Sequence, residues 1–139
     1  MNVTTGLMLT KGFRHKQIRG AAPSIVFMSS AVALVGEPGV SLYSATKGAV
    51  AALSRSLALE LIREGIRCNA VAAGVVSTEL TEGIRNAVGP EAWARIEAAH
   101  PLGIGHADDV ANAVLYLLSP ASRWVTGSTL VVDGGYTAQ

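Results

Sequence analysis

Three side chains in the first third of the sequence, Ser30, Tyr43 and Lys47, are of types that together can move a proton. Tyr43 and Lys47 are four residues apart, so on a helix they lie one turn apart on the same face. An ammonium beside a phenol stabilises the phenolate and lowers a phenol pKa from about 10 toward neutrality, where acid–base catalysis is efficient. Ser30 follows a strand-like run, and its hydroxyl can hold a substrate oxygen beside that phenol. The set predicts a site that interconverts a carbonyl and an alcohol.

Many Tyr-x-x-x-Lys pairs lie on exposed helix surfaces and have no function, but the residues before this pair distinguish it. A strand-like run ends at Ser30, and a turn with Gly36, Pro38 and Gly39 precedes Tyr43. In this order and spacing, the segment resembles the active-site segment of the classical short-chain dehydrogenase/reductase family, in particular its 3-oxoacyl-carrier-protein-reductase-like members. The resemblance implies a Rossmann-like α/β fold, a parallel sheet with helices on both faces, and hydride transfer between NAD or NADP and a small carbonyl or alcohol.

Further stretches carry the same resemblance. The run NVTTGLMLTKGF resembles the family's helix with an active-site asparagine, and RCNAVAAGVVST resembles the strand and loop that hold the nicotinamide. In that loop Ala73 stands where the family usually has proline, which leaves its φ less restrained. The resemblance implies a catalytic set of Asn2, Ser30, Tyr43 and Lys47. It implies a cofactor-binding set of Tyr43, Lys47, Ala73, Gly74, Val76 and Thr78.

The sequence lacks the glycine-rich phosphate-binding run that opens the family's fold, since neither Gly-x-Gly-x-x-Gly nor Gly-x-x-x-Gly-x-Gly occurs. We therefore expect residues 1–139 to be a single domain that forms the C-terminal portion of such an enzyme. Cofactor binding is then incomplete without the N-terminal half, and the choice between NAD and NADP is not predicted. Residues 77–99 correspond to the family's mobile lid, in which no pattern indicates a substrate.

Composition narrows the possible partners. Half of the residues are hydrophobic, 15% are charged, and the net charge of +1 gives no reason to expect a nucleic acid or an anionic membrane as partner. No apolar run reaches a membrane span and no signal-peptide pattern is present, so a cytoplasmic enzyme is the expectation. The single cysteine, Cys68, is interpreted as a core residue, and the three separated histidines as surface residues without a metal.

The pattern of apolar residues and breakers predicts an alternation of helices and strands with three parallel strands. Thr78 is predicted to cap a helix that Gly89-Pro90 interrupts, and Gly65 to end a long helix in the left-handed region. The predicted helices are 2–18, 41–63 and 107–118, and the predicted strands are Ser24–Met28, 67–72 and Ser128–Val132.

Three functions stay open on the sequence alone. The first is the nicotinamide-dependent oxidoreductase, present as an N-terminally truncated chain. The second is a catalytically inactive remnant that pairs with a full-length homologue. The third is a sugar-nucleotide epimerase or dehydratase, which the short tail after Val132 disfavours. We expect a homo-oligomer, because strand Ser24–Met28 would otherwise expose an apolar edge. The resemblance to dimeric and tetrameric family members implies that helices 2–18 and 41–63 form the contact.

Overall fold

The computed structural model describes residues 2–15 and 20–139, with Asn2 described by its backbone alone. Helices and strands alternate through most of the chain, as the sequence predicts. The helices are α1 (Asn2–Phe13), α2 (Ser41–Leu61), α3 (Glu79–Val88), α4 (Pro90–Ala98) and α5 (Ala107–Leu118). The strands are β1 (Ser24–Met28), β2 (Arg67–Ala73), β3 (Val76–Ser77), β4 (Gly105–His106) and β5 (Thr129–Val132).

The main sheet has three parallel strands in the order β1-β2-β5. Ser24 of β1 is in register with Arg67 of β2, and Ala73 at the end of β2 is in register with Val132 of β5. The carboxyl ends of all three strands therefore lie at one edge of the sheet, where α/β proteins of this architecture bind their ligands.

Helices cover both faces of the sheet, because β2 presents alternate residues to each side. On one face Cys68 packs with Leu57 and Leu61 of α2, and Phe13 of α1 adds to the same cluster. On the other face Val71 packs with the apolar side of α5. Cys68 is fully buried, which confirms it as a core residue, and burial raises the pKa of its thiol to about 12.

The long helix ends close to the predicted position. After Leu61 the chain tightens into a 3₁₀ turn over Ile62–Glu64 and then leaves the helix at Gly65, whose φ is 71°. A left-handed residue at this point favours glycine because a Cβ would be strained there.

The structure differs from the predicted elements in two main places, the end of α1 and the pair β3–β4. Helix α1 ends at Phe13, and Arg14 and His15 form a turn and a bend, so the prediction of a helix to residue 18 is wrong at those two positions. Residues 16–18 of that predicted helix lie outside the described residues. Strand β1 is only half-buried, because within the described residues it pairs on one side alone. The short parallel pair β3–β4 is absent from the prediction.

The part of the chain that the structure describes has no helix that is long and apolar enough to cross a membrane.

Between α1 and β1 lies a cleft of about 900 Å³, lined by the backbone and side chains of both elements and by Lys47.

Candidate active site

The predicted pair sits in the first two turns of α2, one helical turn apart. The Nζ atom of Lys47 lies 5.6 Å from the centroid of the Tyr43 ring. Tyr43 is 48% exposed, so the residue is accessible to a ligand, whereas Lys47 is half-buried. The structure thus places a cation against the face of an accessible phenol, as the spacing in the sequence predicts.

The end of β1 is attached to α2 through Lys47 twice. The ammonium of Lys47 donates to the carbonyl oxygen of Met28 at 2.9 Å, and the Ser29 hydroxyl donates to the carbonyl oxygen of Lys47, also at 2.9 Å. Ser29 is buried, and its backbone N–H donates to Val71 at 2.8 Å. These bonds fix the position of the helix turn that carries the pair relative to the strand end that carries Ser30.

Ser30 lies at the carboxyl end of β1 and turns toward β2. Its backbone is extended, and its half-buried hydroxyl lies 3.4 Å from the carbonyl oxygen of Ala73. This long hydrogen bond is weak by ordinary geometric standards, so the hydroxyl can exchange it for a better acceptor. Ser30 and Ala73, two residues of the predicted site, are therefore brought together by the structure.

Gly74 follows Ala73 and is in tight contact with the turn after β5. Its N–H donates to Val132 at 2.9 Å, and a Cβ added to it would lie 2.8 Å from the Cα of Asp133. Burial disfavours ionisation of Asp133, but hydrogen bonds from Thr137 and Gly135 outweigh that effect and lower the carboxyl pKa below its usual range. The predicted cofactor loop is thus seated on a well-bonded turn.

The remaining loop residues are held by neighbouring segments. The hydroxyl of Thr81 donates to Val76, and Thr78 caps α3 with its own hydroxyl, which accepts from the Thr81 N–H at 3.3 Å. The capping prediction for Thr78 is confirmed. The same hydroxyl also lies 3.2 Å from the Thr81 hydroxyl, so it is engaged within the helix cap by two contacts.

His100 contradicts the prediction that all three histidines lie at the surface. It is 5% exposed, its Nε2 accepts from the Val75 N–H at 3.2 Å, and its Nδ1 lies 2.7 Å from the carbonyl oxygen of Ile96. Its ring stacks on Tyr136, with centroids 4.9 Å apart. No spacing in the sequence indicates this role, because its partners come from three separate segments.

Two further residues missed by the sequence reasoning join the segment before α2 to the turn after β5. The hydroxyl of Tyr136 donates to Glu37 at 2.6 Å. This bond to a carboxylate, with burial and the charge of Glu37, raises the pKa of Tyr136 to about 12. The two residues are 99 positions apart, so only the fold brings them together.

Asn2 begins α1, and its side chain lies outside what the structure describes. Within the described residues, no three side chains among histidine, cysteine, aspartate and glutamate are grouped as metal ligands. The other predicted site residues all lie at or beside the carboxyl edge of the sheet, on the β1 end, on the β2 end and its loop, and on the first turns of α2.

Comparison with known proteins agrees with this arrangement. A family model described as enoyl-(acyl carrier protein) reductase matches residues 1–137. The chain belongs to the short-chain dehydrogenase/reductase family. A tropinone reductase homologue of Arabidopsis thaliana is 46% identical to this chain over 116 residues, which are 82% of this chain and 43% of that protein. Carbonyl reductase 2 (NADPH) of Sus scrofa is 40% identical over 121 residues, 86% of this chain and 49% of that protein.

A solved structure shows the same fold. A short-chain dehydrogenase family protein from Francisella tularensis superimposes with a TM-score of 0.87 at 36% identity, covering 99% of this chain and 60% of that one. This short-chain dehydrogenase/reductase chain spans about half the length of the curated relatives it matches.

Proposed function

We propose that this chain supplies the catalytic part of an NAD- or NADP-dependent oxidoreductase that interconverts a small carbonyl compound and its alcohol. The observation that carries the proposal is the position of Lys47. Its ammonium lies against the Tyr43 ring while one of its N–H groups is bonded to Met28 at the strand end before Ser30. The proposal is supported by the position of this phenol, cation and strand end beside the sheet edge where α/β folds bind ligands.

The donors present fit the nicotinamide end of such a cofactor. An ammonium has three N–H donors, and among the described residues Met28 takes one of them, so two are left for the hydroxyls of a ribose. Tyr43 is accessible on the same face of the helix. Ala73, Gly74 and Val76 would border the ring, with Thr78 beside them. A bound nicotinamide would supply or accept the hydride.

The residues of this chain would handle the proton. Tyr43 would donate its phenolic proton to the carbonyl oxygen during reduction and take a proton from the alcohol in the reverse direction. The positive charge of Lys47 would stabilise the phenolate left after donation. Ser30 would exchange its long bond to Ala73 for a bond to the substrate oxygen and stabilise the charge that develops there. Asn2 is proposed to hold a water that returns a proton by way of Lys47.

The phosphate end of the cofactor is proposed to be bound by residues other than these 139. The sequence has no glycine-rich run, and the matched relatives are about twice as long as the matched region. Among the described residues β1 pairs only with β2, and the cleft between α1 and β1 is open. A further parallel strand beside β1 would both complete the sheet and bring a phosphate-binding turn to the carboxyl edge.

We also propose that the protein is a homo-oligomer through α1 and α2 and that it acts in the cytoplasm. Exposed leucines support the first part: Leu9 on α1 is 70% exposed and Leu59 on α2 is 78% exposed. The single, buried Cys68 supports the second part, because it leaves no cysteine pair for a disulfide.

An inactive chain that pairs with a full-length homologue is the second candidate, and the same exposed helix faces favour it. The two candidates differ in whether the protein itself turns over a substrate. The test is to express the protein as its gene encodes it, and to follow NADPH and NADH absorbance with a panel of ketones and aldehydes. Turnover that is lost in Tyr43→Phe supports the oxidoreductase. Absence of turnover and of cofactor binding, with restored activity only on mixing with a longer homologue, supports the pairing function.

A further inference from the structure

His100 has both ring nitrogens committed in a buried position. A backbone carbonyl can only accept and a backbone N–H can only donate, so the bonds to Ile96 and Val75 require a proton on Nδ1 and none on Nε2. The two bonds therefore select the tautomer with the proton on Nδ1. One face of the ring is occupied as well, since Tyr136 stacks on it at an interplanar angle of 21°.

The hydrogen bond between His100 and Val75 restrains the loop after Gly74. Residues 73–78 contain no proline, so no ring fixes a φ angle there. Val75 has two main-chain polar groups: its N–H donates to His100, and its carbonyl oxygen accepts from the Gly105 N–H at 3.1 Å. Both partners belong to the stretch between α4 and α5. The course of the loop after Gly74 is thus set by that stretch.

The imidazole connects this loop to two other segments. Through Nδ1 it is bonded to the last turn of α4, and through its ring face it contacts Tyr136, which is bonded to Glu37 ahead of α2. Glu37 precedes Tyr43 by six residues in the sequence. The side chain of His100 therefore contacts the loop that is proposed to border the nicotinamide. It also connects this loop to α4 and, through Tyr136, to the segment before α2.

We propose that His100 is a positioning residue for the nicotinamide end of the site. By accepting from Val75 it fixes the loop 74–76 in the conformation that the cofactor meets, and it transmits the position of α4 to that loop. This inference rests on the proposed function for the identity of the ligand. The hydrogen bond between His100 and Val75 does not depend on the ligand, and its effect on the loop can be measured without turnover.

Two amide variants separate the two bonds of His100. The oxygen of glutamine lies as many bonds from Cβ as Nε2 does, so His100→Gln retains an acceptor for the Val75 N–H. The side-chain amide of asparagine lies where Nδ1 does, so His100→Asn retains a donor for Ile96 but does not reach Val75. The two side chains are both neutral amides, and neither can stack like an imidazole, so each serves as the control of the other.

The first readout is amide hydrogen exchange at Val75, with Val71 in β2 as internal reference. We expect His100→Asn to accelerate exchange at Val75 at least about fivefold, the factor expected on losing a buried hydrogen bond of ordinary strength. Val71 should be unchanged, and His100→Gln should stay near the wild-type rate at both sites. Equal acceleration in both variants, or acceleration at Val71 as large as at Val75, would overturn the proposal, because the effect would then be general loosening.

The second readout is the dissociation constant of NADPH and NADH in the protein as its gene encodes it. We expect His100→Asn to raise the constant of the preferred cofactor by at least about fivefold and His100→Gln to restore most of the loss. Unchanged affinity in His100→Asn would overturn the positioning role. Absence of cofactor binding in the wild type would overturn the proposed function, while the exchange comparison still decides whether His100 fixes the loop.

Discussion

The ammonium of Lys47 donates to the carbonyl oxygen of Met28 at 2.9 Å while its Nζ stays 5.6 Å from the ring centroid of Tyr43. Lys47 therefore has two partners of different kinds. One fastens α2 to the end of β1, and the other is the phenol to which the proton chemistry is assigned. A substitution at Lys47 affects both, whereas a substitution of the Tyr43 hydroxyl affects only the second.

The first prediction follows from this difference. Lys47→Met should weaken NADPH or NADH binding and also lower turnover, because the ribose contact and the stabilisation of the phenolate are both lost. Tyr43→Phe should lower turnover with cofactor affinity nearly intact. Cofactor fluorescence titrations of the two variants give the comparison. Equal effects of the two variants on cofactor affinity would remove the distinction between their roles.

The close approach of Gly74 to Asp133 predicts a site where glycine is required. In Gly74→Ala the new methyl would lie 2.8 Å from the Cα of Asp133, and a main-chain atom cannot rotate away. We expect a loss of about 1–3 kcal/mol in the free energy of unfolding, as for other overpacked positions. Gly83→Ala in α3 is the matched control, since nothing lies within 4 Å of its Cβ position and alanine favours a helix by up to about 1 kcal/mol.

Urea unfolding of both glycine variants provides the measurement. Gly74→Ala should have the lower midpoint and Gly83→Ala a midpoint equal to or above that of the wild type. A Gly74→Ala protein as stable as the wild type would show that the loop and the turn after β5 can separate.

The hydrogen bond between Tyr136 and Glu37 predicts that the free energy of unfolding depends on pH in the alkaline range. Its pKa is raised to about 12 by its hydrogen bond to Glu37, with burial and the charge of Glu37 adding to the effect. A folded-state pKa above the ordinary tyrosine value of about 10 means that the stabilisation is fully present below about pH 10. It is lost as the pH rises through about 12. The free energy of unfolding of the wild type should therefore fall more steeply over this range than that of Tyr136→Phe.

Urea unfolding at near-neutral pH and at about pH 11.5 tests this difference. Glu37→Gln is the matched control, because it retains an acceptor but removes the charge that opposes ionisation of the phenol. Parallel curves for the wild type and Tyr136→Phe across the whole range would show that the bond to Glu37 contributes nothing to stability.

The exposed leucines of α1 and α2 predict that the protein self-associates. We expect light scattering to show a dimer or larger assembly at micromolar concentration. Leu59→Glu on α2 should weaken the assembly, because the charge would be buried at the proposed contact. Leu102→Glu, at a position 88% exposed outside both helices, should leave the assembly unchanged. A wild-type protein that is a stable monomer would contradict the proposed contact.

The order of elements in the fold is predictable because each element has a local signal. Gly65 has to end a helix in the left-handed region, Thr78 is a good helix cap, and Pro90 cannot continue the helix before it. The end of α1 has no such signal, since no glycine or proline stands between Phe13 and Gly20, and the prediction extends that helix too far. The pair β3–β4 is too short to show an alternating pattern.

The candidate site is predictable only as far as its residues are close in sequence or match a motif. Tyr43 and Lys47 are one helical turn apart, so their contact follows from helix geometry. The bond of Ser30 to Ala73 and that of His100 to Val75 join segments 43 and 25 residues apart. Such contacts depend on how the strands and loops pack, and a histidine carries no local signal for a buried role.

The most direct test of the account is the turnover of Tyr43→Phe, measured beside its cofactor dissociation constant in the protein as its gene encodes it. Tyr116→Phe on the exposed side of α5 is the matched control. The account predicts a loss of about 10²–10⁴-fold in turnover for Tyr43→Phe, the usual contribution of a positioned acid–base group, with cofactor affinity nearly unchanged. Tyr116→Phe should behave as the wild type. A loss in Tyr43→Phe of less than about tenfold, below that usual range, would contradict the assignment of the proton transfer to Tyr43.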